Sequence, residues 1–225
     1  MQDVFDFFFK IKEKKEMTEI LLIIFSITLF YIAIANRLMT YVNTLAIQGI
    51  LICGIAILSL HEMNIINLAT ILVETLIVKA IAMPMFIRHV IKRNGITREA
   101  EPSVPNYVSL IVVTAIVVTT FLVARSVVGE SVHKTYFVVA LSTILSGLYL
   151  IATRRKVITH VICYVIVENG AFILSLSQGN EMPLMVNLGV LLDVLVSVFL
   201  LAIFINKVGD VTGDGDVSHL NQLKD

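Results

Sequence analysis

The sequence predicts an all-α integral membrane protein, a bundle of about seven transmembrane helices. Three observations carry this. Of 225 residues, 57% are hydrophobic, and the mean hydropathy is +0.91, more apolar surface than a soluble domain of this length buries. Seven apolar runs approach the roughly 20 residues that span a bilayer. None alternates at period two, which argues against a membrane β-barrel. The runs are Thr18–Ala35, Tyr41–Leu60, Ile65–Ile87, Tyr107–Ala124, Tyr136–Ala152, Val157–Leu176 and Pro183–Ile205. The first and fifth are short, so their helices are expected to extend into flanking polar residues.

These runs divide the chain into a polar or interfacial N-terminal tail (1–17), a seven-helix membrane domain (18–206) and a C-terminal docking tail (207–225). The tail "VFDFFFKIKEKKE" is Phe-rich and charged, and reads as an interfacial amphipathic helix or a solvated leader. A basic connection with Arg88, Lys92, Arg93 and Arg98 separates the first three spans (18–88) from the last four (107–206). No small-residue cleavage site follows the first run, so it reads as a span and not as a removable signal.

Positive loop charge sets orientation. With seven spans, Arg37, the Arg88–Arg98 cluster, Arg154, Arg155, Lys156, Lys207 and Lys224 fall on one side. The opposite loops contribute Arg125 and Lys134. The C-terminus is therefore expected in the cytoplasm and the N-terminus outside. Lysines 10, 12, 14 and 15 oppose this, and the larger set of loop charges outweighs them. With 17 basic and 17 acidic residues the net charge is zero, which excludes a large basic face for nucleic acid. The two cysteines, Cys53 and Cys163, lie apart in apolar runs and read as packing thiols. They suffice for neither a metal site nor an iron–sulfur cluster. No cofactor or metal is implied.

Charged residues inside the spans carry the functional argument. Glu74 and Lys79 lie in the third span, Glu168 in the sixth and Asp193 in the seventh. An acid or lysine at mid-membrane costs roughly 2.5–3.5 kcal/mol, whereas each strong apolar residue returns about 0.3–0.6. The third span alone is thus marginal and needs its charges turned toward protein or water. On an α-helix, Glu74 and Lys79 are about 140° apart, so each is expected to face another helix. His160, Tyr164 and Glu168 form a stripe at spacing four, and Asp193 shares a face with Ser197. Glu168, Asp193, Lys79, Glu74, His160 and Tyr164 are the candidate proton-relay residues. Gln48 reads as an interhelical hydrogen-bonding group. A proton moves through such a set only if the pairing changes, because desolvation favours neutral forms while an opposite charge favours ionised ones.

The tail "DVTGDGDVSHLN" (Asp210–Asn221) matches part of a calcium loop. Thr212 stands at position three and Asn221 where a bidentate Glu is needed, so calcium binding is not expected. Val217, Leu220 and Leu223 are expected to dock on a neighbouring subunit.

The seven-span layout, "IVKAIAMP" at Ile77–Pro84, "YVIVENG" at Tyr164–Gly170 and the closing "DVSHLNQLK" resemble the hydrogenase-4 component E family, membrane subunits of formate hydrogenlyase-type complexes. The resemblance covers nearly the whole chain. Residues 136–206 are also similar to the K subunit of complex I and the Mrp antiporter C subunit. There Glu168 matches the first membrane acid and Asp193 the second, with Asp in place of Glu. The basic residues Arg154 and Arg155 stand about one helical turn farther from Glu168 than in the K subunit. Glu74 belongs to no motif of the family. The resemblance implies a non-catalytic subunit of an oxidoreductase complex in the prokaryotic cytoplasmic (inner) membrane. Antiporter-like and other membrane subunits would be its partners, and it would contribute to proton or cation translocation. The rival readings are a stand-alone secondary transporter and a purely structural scaffold.

Overall fold

The computed structural model describes residues 2–59, 69, 71–93, 103–127 and 133–177. Six helical rods make up these residues. They are α1 (Gln2–Ile34), α2 (Leu38–Ser59), a π-helix (Leu72–Ala82) that runs directly into α3 (Met83–Arg93), α4 (Asn106–Val127), α5 (Lys134–Thr153) and α6 (Val157–Ser177). Five of them are long and apolar enough to cross a membrane, and the rod formed by the π-helix and α3 lies beside them. The chain is a multi-pass helical membrane protein. The seventh predicted span, with Asp193 and Ser197, lies outside the described residues, as do Val217, Leu220 and Leu223.

Five of the seven expected spans are met, by α1, α2, α4, α5 and α6, most with their ends moved outward. Of the expected third span, Ile65–Ile87, residues 69 and 71–87 are described, as the π-helix and the first residues of α3, and this rod is not among the five long and apolar enough to cross. α5 takes in Lys134. α1 begins at Gln2, so most of the predicted tail is helical and no break separates it from the span. Its 33 residues extend about 50 Å at 1.5 Å per residue, well beyond a hydrocarbon core of about 30 Å. α1 shows why the rods assemble. Leu22, Phe25, Leu29 and Ile32 are buried, while Ile20, Ile23, Ile27 and Tyr31 on the opposite side are exposed, an apolar surface suited to lipid or another helix. α4 exposes Ile111, Val118 and Leu122 and sits at the periphery of the described helices.

α5 and α6 make the most extensive helix pair, and glycine sets their spacing. A Cβ at Gly170 would stand 2.9 Å from Ile144 Cγ1 and 3.0 Å from the Ala140 carbonyl oxygen. At Gly147 it would stand 2.6 Å from Val167 Cγ2. Small residues permit this approach, and dispersion then holds helices that gain no hydrophobic energy from leaving lipid.

The core has two apolar halves. One joins Leu29, Ile32, Leu38, Tyr41, Ile87 and Ile162; the other joins Leu22, Phe25, Ile52, Ile55, Phe172 and Ile173. Along α1, α2 and α6 the residues between them are polar: Thr28, Gln48, Glu168 and Asn169, all buried.

One end of the bundle is basic and tightly tied. Arg154 Nη2 donates to the Ala33 carbonyl at 3.0 Å, and its guanidinium lies 5.8 Å from the Tyr41 ring centroid. Asn106 Nδ2 donates to Asn36 Oδ1 at 2.8 Å, and the Ser103 amide donates to the Thr153 carbonyl at 2.9 Å. The ends of α1 and α5 and the starts of α4 and α6 therefore meet here. Sequence reasoning treated Arg154 and Lys156 as loop charges marking orientation. Each is only 3% exposed, because the connection between α5 and α6 is three residues long and folds back into the bundle. If this end faces the cytoplasm, a reporter fused after Asp225 will be cytoplasmic and one after Glu62 external. A cytoplasmic signal at Glu62 would overturn that orientation.

Candidate functional site

The polar layer is built by three helices. From α6, the eleven residues separating Val157 from Glu168 carry the carboxylate about 16 Å into the rod, near its middle. Asn169, the next residue, turns toward α2. Its Nδ2 donates to Gln48 Oε1 at 3.2 Å, and Gln48 Nε2 donates to Thr28 Oγ1 at 2.8 Å. Thr28 Oγ1 in turn donates to the Phe25 carbonyl at 2.6 Å. Gln48 is thus the interhelical group its position suggested, joining α1, α2 and α6.

The π-helix supplies the cation. Lys79 Nζ donates to Glu168 Oε1 at 2.5 Å, with the two side chains 5% and 6% exposed. The same ammonium lies 4.4 Å from the centroid of the Phe172 ring, one turn along α6 from Glu168. An aromatic face stabilises a desolvated cation without neutralising the carboxylate.

The α-helical expectation for Glu74 and Lys79 needs correction. Residues 72–82 form a π-helix, in which the backbone bond spans five residues; the Met83 amide donates to the Val78 carbonyl. Residues five apart therefore lie above one another, and Glu74 and Lys79 share a face instead of diverging. Both are buried. The cause is close by. Pro84 has no amide proton and its ring would crowd the Ala80 carbonyl in α geometry, a conflict that a wider turn relieves. The other part of the expectation is met, since Lys79 pairs across to a different helix.

Glu74 is 3% exposed, and its Oε1 has no hydrogen-bond partner among the described residues. Glu168 Oε2 and Asn169 Oδ1 are likewise buried without partners among the described residues. Unsatisfied buried acceptors are rare and call for a functional or structural account. Among the described residues two acids and one lysine share this layer, so Lys79 can neutralise one of these carboxylates at a time.

The rest of the predicted stripe runs from the pair toward the basic end. His160 Nε2 lies 2.8 Å from the Arg154 carbonyl, at the basic end, and Tyr164 is half-buried between the two. Cys53 and Cys163 are buried free thiols. Thr28, Asn169 and Phe172 were not singled out as site residues from sequence. Phe172 carried no signal, whereas Asn169 stood beside an acid inside a span.

No protein-family model matches the sequence, and no solved structure matches it. The chain is similar to a Mycobacterium tuberculosis protein (strain ATCC 25618 / H37Rv) described as "Uncharacterized protein Rv0085", at 27% identity over 187 residues. The match covers 82% of this chain and 85% of that protein, so the likeness extends through most of the membrane domain.

Proposed function

We propose that the protein is a non-catalytic membrane-arm subunit of a hydrogenase-like or complex I-like redox assembly. Its intramembrane charges take part in moving protons, or another cation, coupled to electron transfer in partner subunits. The observation that carries this reading is the buried Lys79–Glu168 pair at mid-span, with Glu74 on the face of Lys79. Charges in such a place are costly. Removing a single partner from a buried pair typically destabilises by about 3–5 kcal/mol, whereas apolar residues would fill the same volume at little cost. Intramembrane ionisable groups accordingly mark ion pathways by default. π-helical turns also concentrate at functional sites. The resemblance of "IVKAIAMP" and "YVIVENG" to the hydrogenase-4 component E family supports the class of assembly. In the same reading Asp193 continues the relay, Val217, Leu220 and Leu223 dock the tail, and the membrane is the prokaryotic cytoplasmic one.

Two measurements test it. Gentle purification from native membranes will bring down hydrogenase-like or complex I-like subunits; recovery of the protein alone or only as a homo-oligomer overturns the assembly. Within that assembly, Glu168→Gln will leave redox turnover with artificial acceptors intact and diminish the proton gradient it generates. A normal gradient would make the pair a structural tie.

A further inference from the structure

α2 touches both halves of the ion pair through two consecutive residues. Gln48 accepts a hydrogen bond from Asn169, the residue next to Glu168. Gly49 faces the π-helix. A Cβ there would stand 2.6 Å from both Cα and N of Ala80 and 2.8 Å from the carbonyl carbon of Lys79. These are backbone atoms, so no side-chain rotation could relieve the contact. Gly54, five residues on, makes the contrast: its Cβ would meet only Leu21 Cδ1, at 3.2 Å, the movable end of a side chain.

We infer that Gln48 and Gly49 are positioning residues for the Lys79–Glu168 pair, with α2 acting as the template against which acid and lysine are set. Gln48 fixes the rotation of α6 through Asn169, and it is itself held by Thr28 of α1. Gly49 fixes how near the Lys79 backbone can come. A side chain at 49 pushes the π-helix away from α2 and moves Nζ on its long stem. Loss of the Gln48 amide frees Asn169 and the face of α6 that carries Glu168. Charge-assisted bonds are sensitive to such displacement, since their strength depends on short contact and alignment. The charged groups set by this template are Lys79 and Glu74 on the π-helix and Glu168 on α6, while α2 and α1 contribute the uncharged Gln48 and Thr28.

This inference deepens the reading of the pair as a working site, but its readout is the pair itself and requires no partner complex. The probe is the infrared carboxylate stretch of the purified protein in lipid vesicles. The part belonging to Glu168 is assigned as the band lost in Glu168→Gln. Gly49→Ala and Gln48→Leu are each expected to shift that band, and Gly54→Ala to leave it in place. Circular dichroism confirms that each variant is helical. A Glu168 band that stays unchanged in helical Gln48→Leu, or in helical Gly49→Ala, overturns the template. A band that also moves in Gly54→Ala overturns it too, because the effect would then be general to α2. Should Gly49→Ala fail to fold, Gln48→Leu alone decides.

Discussion

Lys79→Met will destabilise the protein by about 3–5 kcal/mol, the largest single effect expected in this bundle. Methionine fills the space of the lysine stem, so little packing is lost. The damage comes from Glu168, left buried with neither oxygen partnered, since its Oε2 has no partner already. Phe172 loses its cation as well. Glu168→Gln will cost less, because the amide oxygen can still accept from Lys79 Nζ while the ammonium keeps the Phe172 face. The double variant Lys79→Met/Glu168→Leu removes both charges and will recover most of the stability, as buried pairs replaced by apolar residues commonly do. Thermal melts followed by circular dichroism in detergent check the order: Lys79→Met lowest, Glu168→Gln intermediate, the double variant close to the parent. If Lys79→Met melts like the parent, the pair is not the electrostatic element described above. The double variant also separates stability from the proposed function, for on that reading it will remain helical and fail to sustain a proton gradient in the proposed assembly.

The second large effect lies at the α5–α6 contact. Gly170→Ala places a methyl group 3.0 Å from the Ala140 carbonyl and the Ile144 amide nitrogen, and 2.9 Å from Ile144 Cγ1. Overpacking of this kind costs about 1–3 kcal/mol. Alanine returns up to about 1 kcal/mol over glycine in a helix interior, so the net change is a loss. Gly147→Ala has the opposite balance. Its closest clash is the tip of Val167 at 2.6 Å, with backbone no nearer than 3.3 Å, so Val167 can rotate away and propensity offsets much of the strain. The expected result is a clear drop in melting temperature for Gly170→Ala and a small change for Gly147→Ala. Equal losses would mean that backbone contact does not set the distance between α5 and α6. The outcome bears on "ENG" as a unit: Glu168 holds the lysine, Asn169 holds α2, and Gly170 lets α5 approach.

Much of this was legible in the chain itself. Five spans could be located because a bilayer demands about 20 apolar residues and a closed backbone hydrogen-bond set, a constraint written directly into composition. The cost of Lys79 and Glu168 in lipid was also visible in the sequence, and it implied that each faced protein. Gln48 announced itself in the same way, as an amide with no reason to stand in an apolar run.

Other features depended on three-dimensional packing. Spacing along an assumed α-helix separated Glu74 from Lys79, and only the π-helix before Pro84 brings them to one face, since helix type sets which residues align. That Lys79 meets Glu168 is a matter of packing, where the π-helix backbone lies so close to α2 that only glycine fits at position 49. The polar layer exists because Thr28, Gln48 and Asn169, on three helices far apart in sequence, arrive at the same depth. Arg154 likewise passed for a loop charge until the short turn between α5 and α6 carried it inside. Sequence determined which residues could not face lipid; tertiary packing decided which of them met, because contact between helices depends on register and distance that no single helix encodes.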